Sequence, residues 1–276
     1  GEQDSNHGSC EVSKLTAVNR VKIPIGNLPD GEYRLVASLL DSDGKTAYEA
    51  QGLLRKLPRK SGEVWFDRDN VCYVDGKPFF PMGWFSILPE TQQRYGNTIH
   101  TYNLFSTPQN VLNWLDSAHA AGNKVMLSPY QEFRGQGVYD NSELFAHIGP
   151  ARQGVLTQQQ ADVIRRTVEL LRDHPALLAW YMCDEPEGCD HNPDWYKAAY
   201  RLINELDPYH PCIVLNYGTR GMRTYYEPCD VLMPDCYPDY QINAQAKKPV
   251  VDTADYMKTA RELGRVPWIV PQGFDW

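Results

Sequence analysis

Short, mostly apolar runs alternate with amphipathic helical patterns from about residue 63 onward, and this alternation restricts the fold more than any other feature of the chain. Continuous apolar runs of this length are typical of strands that are buried on both faces of a parallel sheet. The candidate strands are residues 79–85, 97–103, 124–130, 177–183, 212–218, 230–238 and 267–274. Helical patterns lie between them, and two of these end at Gly122 and Gly264.

Seven strand–helix units in succession predict an α/β fold of the (β/α)8 TIM-barrel type, with its active site at the carboxyl ends of the strands. A doubly wound open sheet is the competing architecture, but no candidate strand is followed by a glycine-rich phosphate turn. Only seven strands are found, so the last unit is missing from this chain. We expect the closing unit to come from a C-terminal remainder or from a second polypeptide, because an open barrel would leave unpaired strand edges.

The first part of the chain has a different pattern. Residues 14–57 contain three extended runs separated by turn sequences such as NLPDG and DSDG, which predicts part of a β-sandwich. The segment LPRKSGEV, residues 57–64, has the Pro, Gly and charged residues of a linker. We therefore divide the chain into a partial sandwich with its linker at residues 1–62 and an incomplete barrel domain at residues 63–276.

Charge and composition limit the partners. The formal net charge is -8, and no basic stripe is present to bind phosphates, so a nucleic-acid partner is excluded. No apolar stretch approaches the roughly 18 residues of a membrane-spanning helix. Seven cysteines without paired CxxC spacing argue against a zinc knuckle and would permit disulfides, so we expect an exported protein, secreted or periplasmic, with some cysteines paired.

The ends of the candidate strands carry carboxylates, amides and aromatic rings. This mixture suits a carbohydrate, whose hydroxyls need polar partners and whose C–H faces stack on rings. The candidate sugar-binding residues are Trp84, Tyr102, Asn103, Tyr130, Glu132, Asn216, Tyr217, Tyr237, Gln272 and Trp276. No cofactor is predicted, and no metal, since His100 and His191 have no companion at a suitable ligand spacing.

The stretch HPALLAWYMCDEPEG, residues 174–188, holds the strongest chemical signal. An apolar strand pattern ends there in Asp184 and Glu185, with Glu187 two residues further on. Adjacent carboxylates beside a poorly solvated region repel each other, which raises the proton affinity of one of them. Either these acids form a solvated helix start, where negative charge is favoured, or they carry out chemistry.

HPALLAWYMCDEPEG resembles the fourth-strand region of (β/α)8 glycoside hydrolases, and VDGKPFFPMGWF resembles the first barrel strand of sandwich-plus-barrel enzymes of the β-galactosidase and β-glucuronidase type. The resemblance covers the chain from about Val71 to its end. It implies hydrolysis of β-linked glycosidic bonds in oligo- or polysaccharides, with Glu185 as the general acid/base. Asp184 stands where Asn is more usual.

The seventh strand departs from the family pattern, because Gln272 stands where retaining members carry a nucleophilic Glu. Three alternatives stay open. The nucleophile is Asp275 or an acid in the absent remainder; or Asp235 is the nucleophile or base; or the mechanism is substrate-assisted, as in β-N-acetylhexosaminidases, where Asp184 would orient the acetamido group and Glu185 would be the acid. A carbohydrate-binding barrel without catalysis is the alternative from a different class.

Overall fold

The computed structural model describes residues 31–85, 96–101, 105, 107–131, 152–237 and 250–271, with shorter stretches between residues 8 and 30. The chain divides between Arg59 and Lys60 into two compact units. The boundary proposed from the sequence, between residues 62 and 63, falls a few positions later.

The first unit contains an antiparallel hairpin of β1, Gly31–Leu40, and β2, Thr46–Lys56. The side chain of Asp41 accepts hydrogen bonds from the backbone N–H groups of Asp43 and Lys45, both at 2.9 Å, and this closes the turn. Alternation along the strands gives the hairpin one apolar face, on which Leu35 and Leu39 oppose Gly52 and Tyr48. The first of the three predicted runs lies largely outside the described residues, so the sandwich stays a prediction.

The second unit begins with a small antiparallel sheet of β3, Val64–Phe66, β4, Cys72–Val74, and β5, Lys77–Pro78. Val64, Cys72 and Val74 are buried against the residues that start several strands of the main sheet. This small sheet therefore covers the amino-terminal end of the main sheet's inner face.

The main sheet is parallel, and its seven strands follow one another in sequence order, as predicted. Each described strand pairs with its neighbour along the chain. The strands are β6 (Gly83–Phe85), β7 (Thr98–His100), β8 (Lys124–Leu127), β9 (Leu177–Cys183), β10 (Cys212–Asn216), β11 (Val231–Pro234) and β12 (Val266–Pro267). This topology excludes the doubly wound alternative, whose strand order reverses. The closing eighth unit stays a prediction.

Helices cover the outer face of the sheet. They are α1 (Pro108–Ala120), α2 (Gln158–Leu171), α3 (Pro193–Leu206), α4 (Thr219–Tyr225) and α5 (Asp252–Glu262). Local sequence explains the helix starts: Thr157 and Gln160 form a reciprocal capping box at α2, and Asn192 caps α3 just before Pro193. The short helix α4 was not predicted, because Gly221 and Thr224 weaken its pattern.

Two apolar clusters lie on opposite faces of the strands, which explains why the strand sequences are apolar without interruption. All seven residues of β9 are buried. Trp180 and Met182 pack in the cluster that includes the helices, whereas Tyr181 and Leu215 pack in the cluster on the inner face. Because β9 is buried on both sides, its carboxyl end is held firmly in place.

The expectation of disulfides is wrong: all seven cysteines are free. Five of them are buried on separate strands and loops, where they pack as small apolar side chains, and only Cys10 and Cys189 are exposed. Among the described residues, no helix is both long and apolar enough to cross a bilayer.

Candidate active site

The carboxyl ends of β9, β10 and β11 bring a group of acidic and aromatic residues together. Asp184 and Glu185 follow β9, Tyr217 follows β10, and Asp235 follows β11. Parallel strands end at the same edge of a sheet, which is why residues some 50 positions apart in the sequence meet here. β9 is the fourth strand of the parallel sheet.

Glu185 lies in a left-handed backbone conformation, with φ 43° and ψ 53°. This region costs a residue with a Cβ on the order of 1 kcal/mol or more and is kept only where the surroundings enforce it. The backbone N–H of Glu185 donates to the carbonyl oxygen of Leu215 in β10 at 3.1 Å. Pro186 follows at once and starts a single 3-10 turn, Pro186–Cys189. The turn fixes the backbone of Glu185 at the sheet edge.

Asp235 is nearly fully buried beside Glu185, with 5% of its surface exposed. Its pKa is raised to about 9 by burial, by a hydrogen bond with the Glu185 carboxyl, and by the charges of Glu185 and Asp184. A hydrogen bond between two carboxyl groups requires a proton on one of them. With its pKa raised to about 9, the Asp235 side chain keeps its proton at neutral pH.

Tyr237 completes this group. Burial, followed by the charge of Asp235 and a hydrogen bond with it, raises the pKa of the Tyr237 hydroxyl. That hydroxyl stays protonated and lies beside the carboxyl pair. The site thus contains three acidic side chains and a neutral phenol, and among the described residues no group of three or more His, Cys, Asp or Glu could hold a metal ion.

Glu187 has a different environment from its two acidic neighbours. Nδ2 of Asn216 donates to one carboxylate oxygen at 2.7 Å, and the backbone N–H of Tyr217 donates to the other at 2.9 Å. Burial raises the pKa of Glu187, and these hydrogen bonds oppose the rise. The carboxylate also lies against Gly221 in α4, where a Cβ would come within 2.1 Å of a Glu187 oxygen.

The hydroxyl of Tyr225 in α4 also stabilises the turn Pro186–Cys189. This hydroxyl contacts the carbonyl oxygens of Pro186 at 3.4 Å and His191 at 2.5 Å. The ring of His191 in turn contacts the hydroxyl of Tyr196 in α3 at 2.7 Å. Sequence reasoning missed this support, because no local pattern indicates contacts between residues that are so far apart in the chain.

The remaining predicted residues are distributed as follows. Tyr217 is half-exposed, and Trp84 is half-exposed on the edge strand β6. Asn216 is fully buried, where it binds Glu187. Tyr130 is buried in the outer cluster, with its ring 5.4 Å from that of Trp195. The predicted residues that lie outside the described part of the chain are Tyr102, Asn103, Glu132, Gln272, Asp275 and Trp276.

The spacing of the acids restricts the chemistry. In glycosidases that use two carboxylates across the scissile bond, these groups are about 5–5.5 Å apart for retention and about 6.5–9.5 Å apart for inversion. Glu185 and Asp235 are neighbours at the sheet edge, so the separation of their carboxyl groups is the quantity that distinguishes the two outcomes.

Known structures provide a comparison for this geometry. No protein-family model matches the chain, and neither does any curated protein. Among solved structures, a glycoside hydrolase family 5 mannosidase from Rhizomucor miehei matches at 11% identity, with a TM-score of 0.53, over 75% of this chain and 72% of its own. A mutant of that mannosidase matches at 9% identity, with a TM-score of 0.51 and the same coverage.

A family 2 β-galacturonidase from Eisenbergiella tayi matches at 18% identity and a TM-score of 0.47, over 87% of this chain. The chain spans 42% of that enzyme's length. At these identities the mannosidase match concerns the fold and not the activity. The chain thus shares the α/β-barrel fold of a known glycoside hydrolase.

Proposed function

We propose that this protein hydrolyses β-linked glycosidic bonds in oligo- or polysaccharides, with Glu185 as the general acid/base. The observation that carries the proposal is the group of three carboxyl side chains, Asp184, Glu185 and Asp235, at the carboxyl edge of the sheet, where the pKa of Asp235 is raised to about 9. The glycoside-hydrolase fold supports it. So does the half-exposed ring of Tyr217, which offers a surface on which a sugar can stack.

Cleavage of a glycosidic bond needs a proton donor at this position, because an unprotonated alkoxide is a poor leaving group. Protonation of the glycosidic oxygen by Glu185 lets the C–O bond break, and water finally adds to the anomeric carbon and returns a proton to the Glu185 carboxylate. Burial and repulsion keep a proton on Asp235, beside Glu185, up to alkaline pH. Asp184, directly before the acid, orients the sugar.

A substrate-assisted β-N-acetylhexosaminidase is the second candidate. It is favoured by the adjacent Asp184 and Glu185, because that mechanism needs no second carboxylate across the scissile bond. The acetamido oxygen of the substrate would attack the anomeric carbon, Asp184 would orient the acetamide, and Glu185 would protonate the leaving oxygen.

The test is a panel of aryl β-glycosides and aryl β-N-acetylhexosaminides with the wild-type chain and Glu185→Gln. General acid catalysis is worth about 10²–10⁴-fold, so the variant should lose that factor on phenyl glycosides. It should lose much less on dinitrophenyl glycosides, whose leaving groups need no proton. The exposed Glu169 supplies the matched control, Glu169→Gln, which should change neither rate.

If the wild-type protein binds oligosaccharides but cleaves no member of the panel, and Glu185→Gln leaves that binding unchanged, the carbohydrate-binding barrel replaces the enzymatic proposal. An exported location, secreted or periplasmic, is proposed because polysaccharide substrates lie outside the cell. Fractionation of the source cells tests it.

A further inference from the structure

We infer that Glu187 is a positioning residue that fixes the direction in which Glu185 presents its proton. The inference rests on the proposed function and extends it to a third acid, for which the hydrolysis of a glycosidic bond has no direct use. The starting observation is that both oxygens of Glu187 already have partners.

The contacts of Glu187 occupy both of its carboxylate oxygens. One oxygen accepts from Asn216 Nδ2, and the other accepts from the backbone N–H of Tyr217. Both contacts need an acceptor, which the ionised carboxylate provides on both oxygens. The absence of a side chain at Gly221 makes room for the carboxylate. The Glu187 carboxylate thus lies between the end of β10 and α4.

The same contacts lock the turn that carries Glu185. Glu187 is two residues after Glu185, and Pro186 between them has its φ fixed by its ring. The backbone N–H of Gly188 donates to the carbonyl oxygen of Glu185 at 2.9 Å. A shift of the Glu187 carboxylate should therefore move the backbone of Glu185, which has the left-handed conformation. Binding of Glu187 to β10 helps to offset the conformational cost at Glu185.

Substrates with different leaving groups distinguish a positioning role of Glu187 from a purely structural role. A misplacement of about 1 Å can cost on the order of 10²-fold in rate. If Glu187 only stabilises the fold, its loss lowers the amount of active protein and reduces the rates on all substrates equally. If it aims the acid, the loss grows as the leaving group needs more protonation.

The experiment compares Glu187→Gln with wild type and with Glu169→Gln on a phenyl glycoside and the matching 2,4-dinitrophenyl glycoside. We expect kcat on the phenyl glycoside to fall by about 10–100-fold and kcat on the dinitrophenyl glycoside by less than about 3-fold. Gly221→Ala, which displaces the carboxylate without changing its charge, should give the same pattern. If Glu187→Gln does not fold, Gly221→Ala tests the same inference.

Equal losses on the two glycosides, or no loss on either, overturn the inference. If wild type and Glu185→Gln differ as expected but Glu187→Gln shows no dependence on the leaving group, only the inference fails. If the wild-type protein hydrolyses neither glycoside, the proposed function fails and the inference fails with it.

Discussion

Replacing Asp235 with Asn should make the protein more stable at high pH, and the gain should grow with pH. The ordinary pKa of the aspartate side chain is 3.8, and in the folded protein it is raised to about 9. Between these values the folded state holds a proton that the unfolded state has lost. The contribution of Asp235 to stability is therefore fully present below the unfolded pKa and declines as pH rises toward the folded one.

The magnitude follows from linkage. One bound proton changes the unfolding free energy by about 1.4 kcal/mol per pH unit, so the wild-type protein should lose about 4 kcal/mol from this residue between pH 5 and pH 8. Asn at this position binds no proton, so the unfolding free energy of the variant lacks this pH-dependent contribution. The stability difference between variant and wild type should rise by about 1.4 kcal/mol for each pH unit in this window.

Urea unfolding of both proteins at several pH values between 5 and 8 measures this difference. Asp255→Asn makes the same chemical change at an exposed position in α5 and controls for the general effect of removing a carboxylate. A difference that is independent of pH, or one that falls as pH rises, would refute the assignment of a raised pKa to Asp235.

Three further predictions concern the turn and the cysteines. Asp184→Asn should leave hydrolysis of plain aryl β-glycosides within about tenfold, and a loss of about 10²-fold confined to N-acetylhexosaminides would identify the substrate-assisted route. In a double-mutant cycle measured by unfolding, Gly221→Ala should destabilise wild type, because the new Cβ clashes with the Glu187 carboxylate. In the Glu187→Ala background the clash is absent, so the higher helix propensity of Ala should stabilise the protein by up to about 1 kcal/mol. Additive effects of the two substitutions would contradict this. A thiol reagent added without reductant should label two groups, Cys10 and Cys189, in the native protein and seven groups after denaturation; fewer than seven would mean that disulfides are present.

The order of the strands could be predicted from the sequence because the apolar runs alternate with helical patterns. Successive strand–helix units of this kind form a parallel sheet in sequence order. The same reasoning located Asp184 and Glu185 at a strand end, since that requires only the boundary of one apolar run. It did not predict the contact of Glu187 with Asn216, because that contact depends on how two loops meet, 29 residues apart.

Tyr130 illustrates the same limit. It stands only three residues after β8 ends at Leu127, so the sequence suggested the rim of the barrel. The side chain instead packs on Trp195 of α3. Strand periodicity cannot be extended past the last residue of a strand, since the backbone turns there and the inward and outward directions are no longer fixed.

The left-handed backbone of Glu185 also bears on how this protein could be engineered. Glycine or asparagine is more easily accommodated at such a φ value, so a library selected only for heat resistance should become enriched in substitutions that remove the proposed acid. Thermostability and turnover are expected to trade against each other at this one position. Directed evolution of the chain should therefore score both properties in every round.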